Sequence, residues 1–148
     1  EDARAFLASC EEAVLFAATL GAESERMLLR EQAVSAEGAL LLDAVLSAAI
    51  ESVCDDAENQ LRREAEASGK YLTDRFSPGY GDLALEMQKD IFNLLNPAKN
   101  IGLSLSDSLL MTPSKSVTAI VGLGKDPCRN KSGCEYCDKT DCAFRKEK

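Results

Sequence analysis

The apolar run "AVLFAAT" (13–19), closed by Leu20-Gly21, opens the patterned part of the chain and reads as a buried strand, although periodicity alone also fits a helix. "ESERMLLREQAV" follows with a helical pattern. Ser35 is then placed to cap a much longer helix, "AEGALLLDAVLSAAIESVCDDAENQLRREAEAS", which Gly69 ends. On that helix Leu41, Val45, Ala48, Ala49, Ser52 and Val53 share one face at 3.6-residue spacing, and their small size predicts close packing there. Beyond Asp55 the charges multiply, so the last turns are expected to project into solvent. "KYLTDRF" alternates like a strand, and Pro78-Gly79 in "SPGYG" supplies a type II turn, because Pro fixes φ and Gly accepts positive φ. Asp82 is a candidate cap for "LALEMQKDIFNLL", with Met87, Ile91, Leu94 and Leu95 inward and Asn96-Pro97 as its stop. "LLMTPSKSVTAIVGLG" reads as two strands about a Pro-Ser turn, and apolar patterning ends at Gly124.

These elements make an α+β domain, and composition agrees with it. With 148 residues, 45% hydrophobic and 28% charged, the chain can bury a core without disulfide staples. It reads as starting inside a longer protein, with no signal peptide, no membrane span and a cytoplasmic setting. The net charge of −8 is uneven: residues 125–148 carry seven Lys/Arg against five Asp/Glu, which leaves −10 for residues 1–124. An acidic body of that kind argues against nucleic acid as a partner, since phosphate contacts need a basic face. The chain has no His, which removes imidazole bases, Ser-His-Asp triads and His-ligated metals from consideration.

The last segment, "CRNKSGCEYCDKTDCAFR" (128–145), brings a different chemistry. Cys128, Cys134, Cys137 and Cys142 follow C-x5-C-x2-C-x4-C, a spacing that can close four thiolates round one centre, with Gly133 allowing the tight turn. A [4Fe–4S] cluster and a tetrahedral Zn both satisfy Cys₄, and disulfides are the purely structural reading. Part of the tail, "CEYCDKTDCAF", resembles the C-x2-C-x4-C-x-F run of cluster-binding domains in corrinoid iron–sulfur proteins. Cys10 and Cys54 stand alone beside apolar positions and read as buried small hydrophobes.

"RFSPGYG" (75–81) places a guanidinium, backbone amides and a phenol on one rigid turn. The structural reading of it is a surface pair for Arg75 and a Tyr80 packed under the loop. Taken with "AVLFAATLG", "LLLDAVLSAAIESVCD" and "NIGLSLSDSLLMTPSKSVTAIVGLG", however, R-x-x-P-G-Y and M-x-P-x-x-S-V resemble, over most of residues 13–124, the activation domain of cobalamin-dependent methionine synthase, especially its short stand-alone forms in anaerobic bacteria. The resemblance implies a mainly antiparallel twisted sheet packed with helices over residues 1–124, lacking the domain's N-terminal part, and the cysteine spacing adds to it a metal-binding tail over 125–148. It also implies S-adenosylmethionine contacts at Arg75, Pro78, Gly79 and Tyr80, and at Glu51 on the long helix. The task it implies is rescue: cob(II)alamin carried by a corrinoid-binding partner is reduced and remethylated, in the service of methionine biosynthesis. In that reading no residue of the chain acts as a nucleophile, and a cluster on the tail would offer a relay for an electron from a flavoprotein or ferredoxin. The long family members carry a tyrosine pair beyond the M-x-P-x-x-S-V strand, where this chain has "GLGKDPC". A zinc-stapled adaptor that docks on a corrinoid methyltransferase, without a donor site, is the alternative.

Overall fold

The computed structural model of the chain describes residues 7–125, so the four tail cysteines lie outside the described residues. In order, the elements are β1 (Glu12–Thr19), α1 (Ala22–Val34), α2 (Ala36–Ala67), β2 (Tyr71–Leu72), α3 (Met87–Leu95), α4 (Pro97–Ile101), β3 (Ser104–Leu105), β4 (Met111–Thr112) and β5 (Ser116–Gly124). The fold is α+β. One antiparallel sheet has the order β1-β5-β2, and β3-β4 form a separate two-stranded pair. No helix among the described residues is long and apolar enough to cross a membrane.

Ser35 caps α2 as expected, its side chain accepting from the Gly38 N–H at 3.0 Å. The face of α2 that enters the core differs from the expected one. Leu41, Val45 and Val53 are exposed, whereas Ile50, Cys54 and Ala65 are buried, with Ala57 and Leu61 packed beside them. The first half of α2 is so rich in apolar residues that periodicity supports more than one face. The sheet decides between them: Phe16 and Ala119 meet Ile50 and Cys54, and Leu72 and Val121 meet Ala65. For the same reason the last turns of α2 do not project into solvent. Their charged residues flank a line of small side chains that lies on the sheet.

Two further expectations are corrected. Helix α3 begins at Met87 and not near Asp82, because residues 77–87 form successive tight turns (Tyr80 N–H to Ser77 O, Leu83 N–H to Tyr80 O, Met87 N–H to Ala84 O) with Gly81 at φ 54°. These three-residue turns replace the i to i−4 bonds of a helix up to Met87, and on α3 Ile91 is buried whereas Leu94 is exposed. Asn96 in the left-handed region ends α3, and Pro97 opens α4. The two strands flanking Pro113 do exist, but β4 pairs with β3 and β5 pairs with β1 and β2. The link between them is tied to α1, since Ser114 donates its N–H and hydroxyl to Glu25 Oε2 at 2.7 and 2.8 Å.

Candidate functional site

The strand expected over "KYLTDRF" is regular only at Tyr71–Leu72. From the Leu72·Leu123 pair to the Phe76·Ile120 bridge, β5 advances three residues and the facing segment four. That extra residue is a bulge, and it turns Asp74 and Arg75 out of the ladder. Side chains make good the interrupted bonding: Thr73 Oγ1 accepts the Gly122 N–H at 2.8 Å, while Thr73 N–H still reaches Gly122 O. Arg62 clamps the bulge from α2, donating to Leu72 O at 2.7 Å, Glu58 Oε1 at 2.6 Å and Asp74 Oδ1 at 3.3 Å. After the bulge, Ser77-Pro78-Gly79-Tyr80 make the type II turn, with Gly79 at φ 90° and Pro78 buried.

An open cleft of about 530 Å³ lies between this turn and α2, lined by Glu51, Asp55, Glu58, Asp74, Arg75, Phe76, Ser77, Tyr80 and Val117. Glu51, Arg75 and Tyr80 therefore share one cavity, and Pro78 and Gly79 form the turn beside it. Tyr80 is 71% exposed, so its ring is not packed under the loop. The sequence reading missed Asp55 and Glu58. Their signal was the spacing 51, 55, 58, which puts three carboxylates on one helical face.

Arg75 is the hub. Its Nη2 reaches Asp55 Oδ1 at 2.8 Å and Glu51 Oε2 at 3.3 Å, and its Nη1 reaches Glu58 Oε2 at 3.1 Å. Burial works against the charge on Arg75, but the Asp55 hydrogen bond and the Glu58 carboxylate outweigh it and raise its pKa further. Among the described residues these bonds use three of the five guanidinium N–H groups, which leaves Nε–H and one Nη1–H for another acceptor. Four carboxylates line the cleft against Arg75, with Arg62 behind, so the cavity keeps a negative surplus. Cys54 lies fully buried beneath it; burial first, then the surrounding acids, push the thiol up against the opposing pull of Arg75. Among the described residues no group of three or more His, Cys, Asp or Glu is arranged to hold a metal ion.

An α+β domain that mounts an arginine on a β-bulge above a carboxylate-faced helix is the class that the fold and the cleft define. The family comparison gives the particular class. Residues 42–130 match the model described as "Vitamin B12 dependent methionine synthase, activation domain", and the chain belongs to that family. The matched span takes in most of α2, the R-x-x-P-G-Y turn and β5. A search of curated proteins finds no match. The domain's role is in corrinoid reactivation, and its family implies a corrinoid-binding partner or domain.

Proposed function

We propose that the Arg75 cleft holds S-adenosylmethionine as the methyl donor for a corrinoid carried by the partner, and that the tail, residues 125–148, is a separate metal-binding unit relaying an electron through a [4Fe–4S] cluster. The observation that carries the first part is the meeting of Glu51, Arg75 and Tyr80 in one cleft at the family's own motif. The ligand's chemistry fits this donor set. Its carboxylate suits an unspent N–H of Arg75, and its ammonium and sulfonium suit the acidic surplus at Glu51 and Asp55. The exposed Tyr80 ring offers a stacking surface for the adenine, and the cavity volume lies in the range of small-molecule sites. When bound, S-adenosylmethionine supplies an activated methyl that, with one electron, leaves on the partner's cobalt as S-adenosylhomocysteine forms. The residues of this chain bind and orient: Arg75 fixes the carboxylate end, and Glu51 and Asp55 hold the cationic end toward the open rim.

The tail reading rests on the spacing of Cys128, Cys134, Cys137 and Cys142. Its cluster would take electrons from a ferredoxin or flavoprotein. Anaerobic purification with iron, sulfide and zinc analysis tests it: a brown protein carrying iron and sulfide supports the relay, and a colourless zinc protein supports the adaptor alternative. Calorimetry with S-adenosylmethionine, alone and with a corrinoid protein present, tests the cleft. Absence of heat in both would refute the donor site and leave the adaptor.

A further inference from the structure

Three carboxylates hold Arg75, and they are not equivalent. Glu51 and Asp55 are exposed, whereas the Glu58 side chain is only 14% exposed, beside an Arg75 side chain at 15%. Glu58 spends its two oxygens on different arginines: Oε1 accepts from Arg62 Nη2 at 2.6 Å and Oε2 from Arg75 Nη1 at 3.1 Å. Arg62 in turn reaches the segment that carries Arg75, donating to Leu72 O and to Asp74 Oδ1. The result is a closed frame between α2 and the bulge. Arg62 fixes the backbone of the bulge, and Glu58 fixes the guanidinium mounted on it.

Positions 51, 55 and 58 stack like charges on one face of α2, which costs stability unless a cation lies among them. Arg75 is that cation, but its partners differ in how firmly they are kept. Glu51 and Asp55 stand in solvent and can leave it at little cost. Glu58 cannot, because a sheltered carboxylate parted from a cation keeps its desolvation penalty. When a ligand draws Glu51 and Asp55 to its cationic end, the Glu58 contact is the one that stays. The guanidinium is planar, so a bond kept at Nη1, above a fixed bulge, sets the directions of its unspent N–H groups.

Resting on the donor reading of the cleft, we propose that Glu58, backed by Arg62, is the positioning residue that aims Arg75 at the ligand carboxylate, while Glu51 and Asp55 exchange between Arg75 and the ligand's cationic end. Glu58 acts through Arg75 and confers selectivity for a ligand that keeps its carboxylate. This role differs measurably from that of a mere negative charge in the cleft. S-adenosylmethionine carries one net positive charge, and its decarboxylated analogue carries two. A carboxylate that only supplied charge would, when neutralised, weaken the doubly charged analogue more. A carboxylate that aims Arg75 would, when neutralised, weaken S-adenosylmethionine more. The two roles therefore predict opposite orders.

The test uses the full chain, with titration calorimetry for both ligands in the presence of a corrinoid protein, and NMR of the arginine side chains in the ligand-free protein. Glu58→Gln leaves one acceptor oxygen between two guanidiniums and sets an amide NH₂ against the other. It should weaken S-adenosylmethionine about tenfold and the decarboxylated analogue less. Arg62→Lys keeps the charge but lacks the fork that reaches Leu72 O, Glu58 and Asp74 together. It should weaken S-adenosylmethionine roughly threefold and leave the analogue unchanged. Without ligand, the Nη1 and Nη2 signals of wild-type Arg75 should stay distinct, because turning about Nε–Cζ breaks bonds on both sides, and in Glu58→Gln they should merge. Adding Glu58→Gln to Arg75→Ala should no longer affect S-adenosylmethionine more than the analogue. A larger loss for the analogue, or Arg75 signals that stay distinct in Glu58→Gln, would overturn the inference. A wild type that binds neither ligand sinks the donor site instead, and the Arg75 signals then decide alone whether Glu58 holds the guanidinium. If Glu58→Gln fails to fold, Arg62→Lys decides, and equal losses for the two ligands overturn the positioning role.

Discussion

Arg75→Ala should separate the two ends of the ligand. In the free protein Arg75 holds three carboxylates, and two of them, on Glu51 and Asp55, are over 60% exposed and add little to stability. Glu58 is the sheltered one, but it keeps Arg62 at 2.6 Å when Arg75 is lost. Loss of the arginine should therefore cost about 1–2 kcal/mol of folding stability, and the domain should remain folded. For binding, the ligand carboxylate loses a charge-assisted bond to a free Arg75 N–H, worth about 1.5–3 kcal/mol, or roughly 10- to 150-fold in Kd. The cleft also becomes one charge more negative, which favours a cation. Titration calorimetry with S-adenosylmethionine and with its decarboxylated analogue should thus give opposite signs: the first weakened, the second unchanged or tightened. Arg75→Lys should restore only part of the first, because an ammonium lacks the planar fork. Equal losses for both ligands would refute the assignment of Arg75 to the carboxylate.

Glu51→Gln should weaken both ligands while leaving unfolding nearly unchanged, since the Glu51 side chain is 63% exposed, and the same calorimetry reads it. Gly79→Ala forces a side chain to φ 90° and brings a Cβ to 3.2 Å from Leu85 Cδ1; a loss of about 1–3 kcal/mol in thermal unfolding, with weaker ligand binding, is expected. Because the Cys54 thiol is raised in the folded state, the unfolded chain releases that proton first. Stability should be flat below the thiol's unfolded value near pH ~8.5 and decline as pH rises above it, at no more than about 1.4 kcal/mol per pH unit. Denaturant melts of Cys54→Ala against wild type across pH 7–10 should lose that component of the slope. Any one of Cys128, Cys134, Cys137 or Cys142 changed to Ser should strip the metal, read by anaerobic metal analysis, while Cys10→Ser should not.

Most of the secondary structure was legible because it is written locally. Ser35 before an apolar run, Gly69 after it, and Pro78-Gly79 at a turn act through their own backbone preferences. What the sequence left open was set by partners distant in the chain. Which face of α2 is buried depends on Phe16 and Ala119, and a segment rich in Ala and Leu fits either answer until the sheet is present. The link from β4 to β5 is held by a Glu25 carboxylate that lies 89 residues from Ser114. At the cleft, Arg75 and Tyr80 could be singled out because a motif carries them. Asp55 and Glu58 could not, since α2 bears many acids and only the bulge at Thr73–Arg75 selects the ones that face the arginine.

Strand β5 also works as a ruler. Val117 lines the cleft, Ile120 bonds Phe76 beside it, and Gly124 closes the strand on the side where Lys125 meets Glu11. Seven residues at about 3.3 Å each put roughly 23 Å between Val117 and Gly124. Cys128 lies four residues further on, within a tether of about 14 Å. A centre bound there and carried straight on would stand roughly 35 Å from the cleft, whereas one folded back along the sheet could come within about 10 Å. Under the proposed relay, the length of the connector 125–127 bounds the distance an electron would cover, and a change in that length perturbs neither the cleft residues nor the cysteines.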